Sequence, residues 1–83
     1  MSETNSFVVR DDRRPVNLRG FAISDSRDCD ITVADLSYGG CQIHCADALN
    51  AGEVVELRVL KRGSVQAEIR WSDEGRAGAQ FLG

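Results

Sequence analysis

Apolar and polar residues alternate along much of this chain, which is the pattern of β-strands that bury one face. The cleanest alternation covers residues 65–71, where every second side chain is apolar and the last of them is Trp71. A second run, residues 53–61, places three apolar side chains on one side of the predicted strand. The pattern therefore predicts two well-defined strands, with Trp71 among the buried side chains or, as the alternative, with its ring at the edge of a ligand site.

Four other segments have the same strand character, and residues that favour turns separate them. These segments cover residues 16–23, 29–34, 41–45 and 77–82. Gly20 lies inside the first of them, where a bulge or a close backbone contact is the usual reason for a glycine. Residues 46–51 are the only ones for which we expect a short helical turn.

Short strands at intervals of about ten residues predict an all-β fold, either a sandwich or a small barrel. With so few residues, closing the sheet is the simplest way to remove exposed strand edges. The 83 residues suffice for one domain with a small core. We therefore favour a single β-barrel.

Charge is distributed unevenly along the chain. The net charge of −3 and the pI near 5.0 disfavour binding to DNA or RNA polymers, because such binding needs a broadly basic face. Residues 10–19, however, hold four arginines and two aspartates, a local charge of +2, while the remaining residues sum to −5. A cationic segment on an acidic domain suits a small anion better than a polymer.

The N-terminal segment and the cysteines indicate where the folded domain begins and in which cellular compartment the protein resides. Residues 1–6 are polar without periodicity, so we expect a flexible tail ahead of a domain that covers residues 7–83. The sequence shows no basic leader with an apolar core and no apolar run long enough to span a membrane, so we expect a cytoplasmic protein without membrane contact. Three cysteines, an odd number, favour reduced thiols over a disulfide framework.

The hexapeptide of residues 35–40 places short polar groups at the end of a predicted strand. Asp35 and Ser37 are two positions apart, so their side chains leave the same face if the strand continues through them. A carboxylate beside a hydroxyl, next to the bare backbone of two glycines, can seat a small polar ligand. In isolation, Asp and Ser more often bond to the backbone of their own turn, and a glycine pair predicts a sharp turn or bulge with positive φ.

Arg10 and Arg14 form the second candidate cluster, and three residues separate them. Guanidinium is planar and forms paired hydrogen bonds with phosphate oxygens or with the O6 and N7 acceptors of guanine, so two such groups can close around an anion. The alternative is a solvated charge cluster, because the chain has nine arginines and such spacings arise by chance. We expect residues 7–15 to form an exposed loop that carries these groups.

Taken in order, the two clusters resemble the PilZ domain family. That family is marked by an RxxxR element and a (D/N)xSxxG element, which correspond here to residues 10–14 and 35–40. Later landmarks also agree, namely Ala51, Gly52 and Glu53 before an alternating strand, Trp71 at the end of another, and Gly78 with Phe81 near the C-terminus. The resemblance covers essentially residues 9–82.

The resemblance implies a six-stranded antiparallel β-barrel that binds the bacterial second messenger cyclic di-GMP. Carried over by position, the ligand-binding residues are Arg10, Arg14, Asp35, Ser37 and Gly40. Arg13 is the alternative second arginine, because Arg14 directly precedes the proline. By the resemblance, the arginines contact phosphates and guanine, and the aspartate and serine contact a guanine edge.

We therefore expect a non-catalytic receptor for cyclic di-GMP whose arginine loop orders over the ligand and alters the surface offered to an unidentified effector protein. Outputs implied by the family are motility, surface polysaccharide and biofilm control. One alternative is a PilZ-like adaptor that acts without nucleotide, which Asp11 and Asp12 between the arginines favour. Another is a barrel for single-stranded nucleic acid, which should interleave basic and aromatic residues on its strands, whereas five aromatics are scattered here.

Residues 41–45 contain two cysteines and a histidine, as a metal site might. On a strand, however, Cys41 and Cys45 face one way and His44 the other, so the three cannot converge on one ion. This favours core cysteines over a metal site. His44 has no serine or thiol on its own face and no pair of acids is placed for acid-base catalysis, so we expect neither an enzyme nor a cofactor.

Overall fold

A computed structural model describes residues 14–83, which form a closed antiparallel barrel of six strands without a helix. The strands are β1 (Arg14–Ser24), β2 (Arg27–Leu36), β3 (Gly40–Cys45), β4 (Val54–Val59), β5 (Gly63–Asp73) and β6 (Arg76–Phe81). Around the barrel they follow the order β1, β2, β3, β6, β5, β4, and β4 then pairs with β1. The predicted six-stranded barrel is therefore confirmed.

The interior of the barrel is filled by apolar side chains at alternate strand positions. On β3, Cys41, Ile43 and Cys45 are buried, whereas His44 is exposed. The predicted division of this strand into two faces is confirmed, and Cys29, Cys41 and Cys45 carry reduced thiols, not disulfide bonds. The largest fully buried side chains are Ile43, Leu57, Ile69, Val33 and Val55.

A β-bulge interrupts the alternation of β2 at Ala34. Val33 pairs with Ile43 on β3. Asp35, two positions further on, pairs with Gln42, the immediate neighbour of that partner. Ala34 is therefore an extra residue, and an extra residue reverses which of the following side chains face inward. Without it, Asp35 would share the inward face of Val33.

A second bulge lies on β5 at Arg70. Ile69 pairs with Ala79, but Trp71 pairs with the adjacent Gly78, so Arg70 has no counterpart on β6. The bulge turns Trp71 out of the interior, and its side chain is 40% exposed. The prediction that Trp71 belongs to the core is therefore wrong.

One end of the barrel, here called the closed end, is covered by residues 46–53 between β3 and β4. Leu49 of this segment is 3% exposed and packs into the core cluster. The segment contains no helical turn, so residues 46–51 form a loop whose ordering comes from packing and polar contacts.

An ion pair fixes the covering loop to the start of β2. Arg27 Nε lies 3.2 Å from Glu53 Oε2, and Arg27 Nη1 donates to the carbonyl oxygen of Ala48 at 2.7 Å. The backbone N–H of Asn50 donates to Glu53 Oε1 at 3.1 Å. The carboxylate therefore joins the loop to the strand through two oxygens.

The opposite end, here called the open end, has no comparable loop within residues 14–83. A cavity of about 160 Å³ lies there, and we call it the mouth cavity. Its lining is mostly apolar and includes Leu18, Leu36, Val59, Val65 and Phe81, all half-buried. The turns between β2 and β3 and between β4 and β5, and the end of β6, all lie at this end.

The remaining expectations concern Gly20, the N-terminal segment and membrane-spanning helices. A Cβ on Gly20 would lie 2.3 Å from the carbonyl oxygen of Arg58, so a close backbone contact explains that glycine. Arg14 and Pro15, which we expected at the end of the arginine loop, are instead the first residues of β1, because they pair with Leu36 and Asp35 on β2. The rest of the predicted arginine loop and the predicted tail lie outside residues 14–83. No helix in the described part of the chain is long and apolar enough to cross a membrane.

Candidate functional site

The turn between β2 and β3 is held by Ser37. Its backbone N–H and its hydroxyl both donate to the carbonyl oxygen of Gly40, at 2.9 and 3.1 Å. The strand ends at Leu36, so Ser37 does not continue the face of Asp35 as an extended strand would. The serine hydroxyl proton is therefore used within the turn, and its oxygen retains capacity to accept a hydrogen bond.

Gly39 and Gly40 attach this turn to β6. The backbone N–H of Phe81 donates to the carbonyl oxygen of Gly39 at 2.9 Å. A Cβ on Gly40 would lie 2.3 Å from the carbonyl oxygen of Ala79. Neither glycine has positive φ, so the prediction of a positive-φ turn is wrong, and the need for glycine at position 40 comes from close contact between strands.

The first arginine of the described chain lies beside this turn. Arg14 pairs with Leu36, and Pro15 pairs with Asp35, in the ladder between β1 and β2. Both Arg14 and Asp35 make interactions with other groups. Arg14, from the arginine cluster, therefore lies next to the cluster of residues 35–40 in the sheet.

The strand registers place five residues in one row across the outer surface of the barrel. Each neighbouring pair is a direct register partner, and the row, here called the outer row, consists of Pro15, Asp35, Gln42, Gly78 and Trp71. Neighbouring strands are about 4.8 Å apart, so Asp35 and Gly78 are about 10 Å apart. The outer row spans five of the six strands.

Trp71 lies flat over Gly78. A Cβ built on this glycine would lie 2.1 Å from the indole Nε1 and 2.6 Å from Cε2. The glycine is buried although it faces outward, because the indole covers it. The absence of a side chain at position 78 therefore creates the seat for an exposed aromatic ring.

A groove of about 480 Å³ runs beside the outer row, from the turn at residues 37–40 to Trp71. Gln42, Arg70 and Gln80 supply polar side chains to its walls, and Arg70 donates a short hydrogen bond to the amide oxygen of Gln80. Tyr38 also lines the groove and is 94% exposed. The groove thus combines amides, a guanidinium and two exposed aromatic rings.

The predicted site residues are placed as follows. Arg14 and Asp35 lie side by side, Ser37 and Gly40 form the adjoining turn, and Arg10 and Arg13 lie outside the described residues. The sequence interpretation missed Gln42, Arg70, Tyr38 and Gln80 as groove residues, and it placed Trp71 in the core. The one available signal was Gly78, since a glycine inside a strand often marks a close contact.

The described residues offer few other arrangements for chemistry. Among residues 14–83, no group of three or more His, Cys, Asp or Glu side chains is placed to hold a metal ion. Burial raises the pKa of the Cys29 thiol to about 11, with a contribution from its hydrogen bond to Asp47, so this thiol is protonated at neutral pH.

Comparison with protein families gives a match over most of the chain. The PilZ domain family matches residues 9–83, which is nearly the whole chain and includes both motif clusters. No curated protein matches the chain. PilZ domains generally bind cyclic di-GMP or act as effector domains, and they are typically non-catalytic receptors. With the closed six-stranded barrel and the family match together, the chain belongs to the PilZ domain family.

Proposed function

We propose that this chain is a non-catalytic receptor for cyclic di-GMP, with the ligand lying along the outer row. The observation that carries the proposal is the row itself, which aligns Asp35 with Trp71 over four strands and begins beside Arg14 on a fifth. The ligand contains two phosphates and two guanines, so it needs cations, an acceptor for guanine N–H groups, and flat apolar surfaces.

Asp35 is the proposed contact for a guanine edge. The bulge at Ala34 turns this carboxylate outward, and a carboxylate accepts hydrogen bonds from N–H groups such as the amino group of guanine. Gln42 is its register partner on β3 and offers both a donor and an acceptor at the same edge. The pair therefore suits a base whose edge carries donors and acceptors side by side.

Trp71 is the proposed stacking surface. Base stacking on an aromatic ring contributes about 1–3 kcal/mol per base, and every base has a face that can stack. The indole is already held over Gly78, so little conformational freedom is lost when a base stacks on its outer face. Tyr38, at the other side of the groove, is available to the second base.

The arginines are the proposed contacts for phosphate. Arg14 begins β1 at the end of the outer row, and the sequence places Arg10 and Arg13 immediately before it. Guanidinium binds phosphate through paired, charge-assisted hydrogen bonds. We propose that the ligand orders the segment that carries these arginines, and that the ordered segment is the surface recognised by an effector protein.

Isothermal titration calorimetry with cyclic di-GMP tests the receptor proposal. The wild type should bind, and Asp35→Ala, Arg14→Ala and Trp71→Ala should each weaken binding by roughly 5- to 150-fold, from about 1–3 kcal/mol per lost contact. Arg58→Ala is the matched control, because Arg58 is an exposed arginine of β4, the strand outside the outer row. It should bind like the wild type.

Two outcomes would count against this proposal. If the wild type gives no heat and no thermal shift with cyclic di-GMP, the chain is better described as an adaptor that acts through protein contact alone. If Arg58→Ala weakens binding as much as Arg14→Ala, binding follows the overall charge and the outer row is not the site. Gly78→Ala gives a further check, since its methyl group must displace the indole and should lower affinity as Trp71→Ala does.

A further inference from the structure

We propose that Arg70 determines the base specificity of the groove by binding the O6 and N7 acceptors of the guanine that stacks on Trp71. This proposal rests on the proposed function and assigns to that site a residue outside both sequence motifs. Arg70 is exposed on β5 and lines the groove together with Trp71. The bulge at Arg70, its hydrogen bond to Gln80 and the charge of its guanidinium support this role.

The bulge directs two consecutive side chains to the same groove. Successive residues of a regular strand point to opposite faces of the sheet. Ile69 is buried, yet Arg70 and Trp71 are both exposed, because Arg70 is the extra residue that has no counterpart on β6. Consecutive Cα atoms are only about 3.8 Å apart. A base that stacks on the indole of Trp71 is therefore within reach of the guanidinium.

Gln80 orients this guanidinium without neutralising it. Arg70 Nη1 donates to the amide oxygen of Gln80 on β6, and Gln80 lines the same groove. The amide is uncharged, and within residues 14–83 Arg70 forms no ion pair. A guanidinium has further N–H donors, which remain available to a ligand. The side chain is therefore positioned in advance and keeps its positive charge.

Guanine differs from adenine at the edge that arginine recognises. Guanine presents two acceptors there, O6 and N7, and the planar fork of arginine binds both at once. Adenine presents N7 beside the N6 amino group, which is a donor and cannot accept from a second N–H. Asp35 is the proposed acceptor for guanine N–H groups, and it lies about 10 Å from Gly78, the seat of Trp71. Arg70 and Asp35 can therefore serve different bases of one ligand, and both favour guanine.

Titration calorimetry with cyclic di-GMP and cyclic di-AMP tests this assignment with the full chain. The wild type should prefer the guanine ligand. Arg70→Gln should reduce this preference by roughly 5- to 150-fold, because one pair of arginine and guanine provides that much discrimination and glutamine pairs with N6 and N7 of adenine. Arg70→Lys keeps the positive charge but loses the planar fork, so it should lose the preference as well. Gln80→Leu removes the acceptor that orients Arg70 and should lower the preference by a smaller factor.

Arg58→Gln is the matched control, because it replaces an exposed arginine of β4 that does not line the groove. It should retain the base preference of the wild type. The proposal is wrong if Arg70→Lys also retains that preference, since charge alone would then suffice. It is also wrong if the wild type binds the two dinucleotides equally.

Failure of this proposal is distinguishable from failure of the receptor proposal. If the wild type binds neither dinucleotide, both proposals are wrong. If Trp71→Ala weakens the binding of cyclic di-GMP while both Arg70 variants keep the base preference of the wild type, the groove binds the ligand and only the role of Arg70 is wrong.

Discussion

The two ends of the barrel are built differently. At the closed end, Leu49 is inserted into the core, and Arg27 and Glu53 fix its loop to the sheet. At the open end, the described residues leave an apolar cavity of about 160 Å³, and the candidate ligand site lies on the adjoining outer surface. Close packing is therefore concentrated at one end and the proposed binding site lies beside the other, as is common where a rigid scaffold carries a binding site.

The largest expected difference between the ends comes from truncating their leucines. Leu49→Ala should lower the free energy of unfolding by about 2–5 kcal/mol, because it leaves a cavity beneath the loop. Leu60→Ala at the open end removes a side chain that is 51% exposed and should change stability by no more than about 0.5 kcal/mol. Urea denaturation of the two variants measures both values. Equal losses would contradict the division between the ends.

Alkaline pH should weaken the closed end through Cys29. The pKa of this thiol is raised by burial from 9.0 to about 11, so between these values the folded protein retains a proton that the unfolded chain releases. Stability is thus fully present below pH 9 and falls by roughly 2–3 kcal/mol as the pH rises through 11. Denaturation from pH 8 to 11 measures this fall, and Cys29→Ala should show a correspondingly shallower dependence on pH.

Removing the carboxylate that fixes the loop should have an intermediate effect. Glu53→Ala leaves Arg27 Nε buried near the loop without its ionic partner, at a cost of about 1–3 kcal/mol. Glu56→Ala is the matched control, because Glu56 pairs with Arg58 on the exposed surface, where such pairs contribute less than about 1 kcal/mol. Hydrogen exchange at Asn50 should rise in the first variant alone.

The smallest expected effect lies in the turn beside the ligand groove. Ser37→Ala removes one side-chain hydrogen bond to the carbonyl of Gly40, and the backbone N–H of Ser37 still donates to that oxygen. The loss of stability should be about 1 kcal/mol or less by thermal denaturation. A loss comparable to that of Leu49→Ala would show that the open end is as important for stability as the closed end.

The strands could be predicted because the two-residue period of β4 and most of β5 is regular and their turns contain ordinary turn residues. The bulge at Arg70 could not, because the apolar Trp71 continues the alternation of Ala67 and Ile69 although it faces outward. The bulge at Ala34 lies so near the end of its strand that the polar Asp35 was interpreted as the start of a turn. Strict alternation from Ile69 therefore placed Trp71 inside. The burial of Leu49 could not be predicted either, because a single leucine in a loop does not form a periodic hydrophobic pattern.

The outer row also determines at which stage of folding the proposed site is complete. Its five members are spread along the chain from Pro15 to Gly78. Their alignment depends on the registers of strands that pair through backbone hydrogen bonds. A fragment with the arginines and the Asp35 turn alone would lack the tryptophan and its glycine seat. The proposed binding site is therefore complete only after the sheet has closed around five strands, and a partly folded chain would lack it.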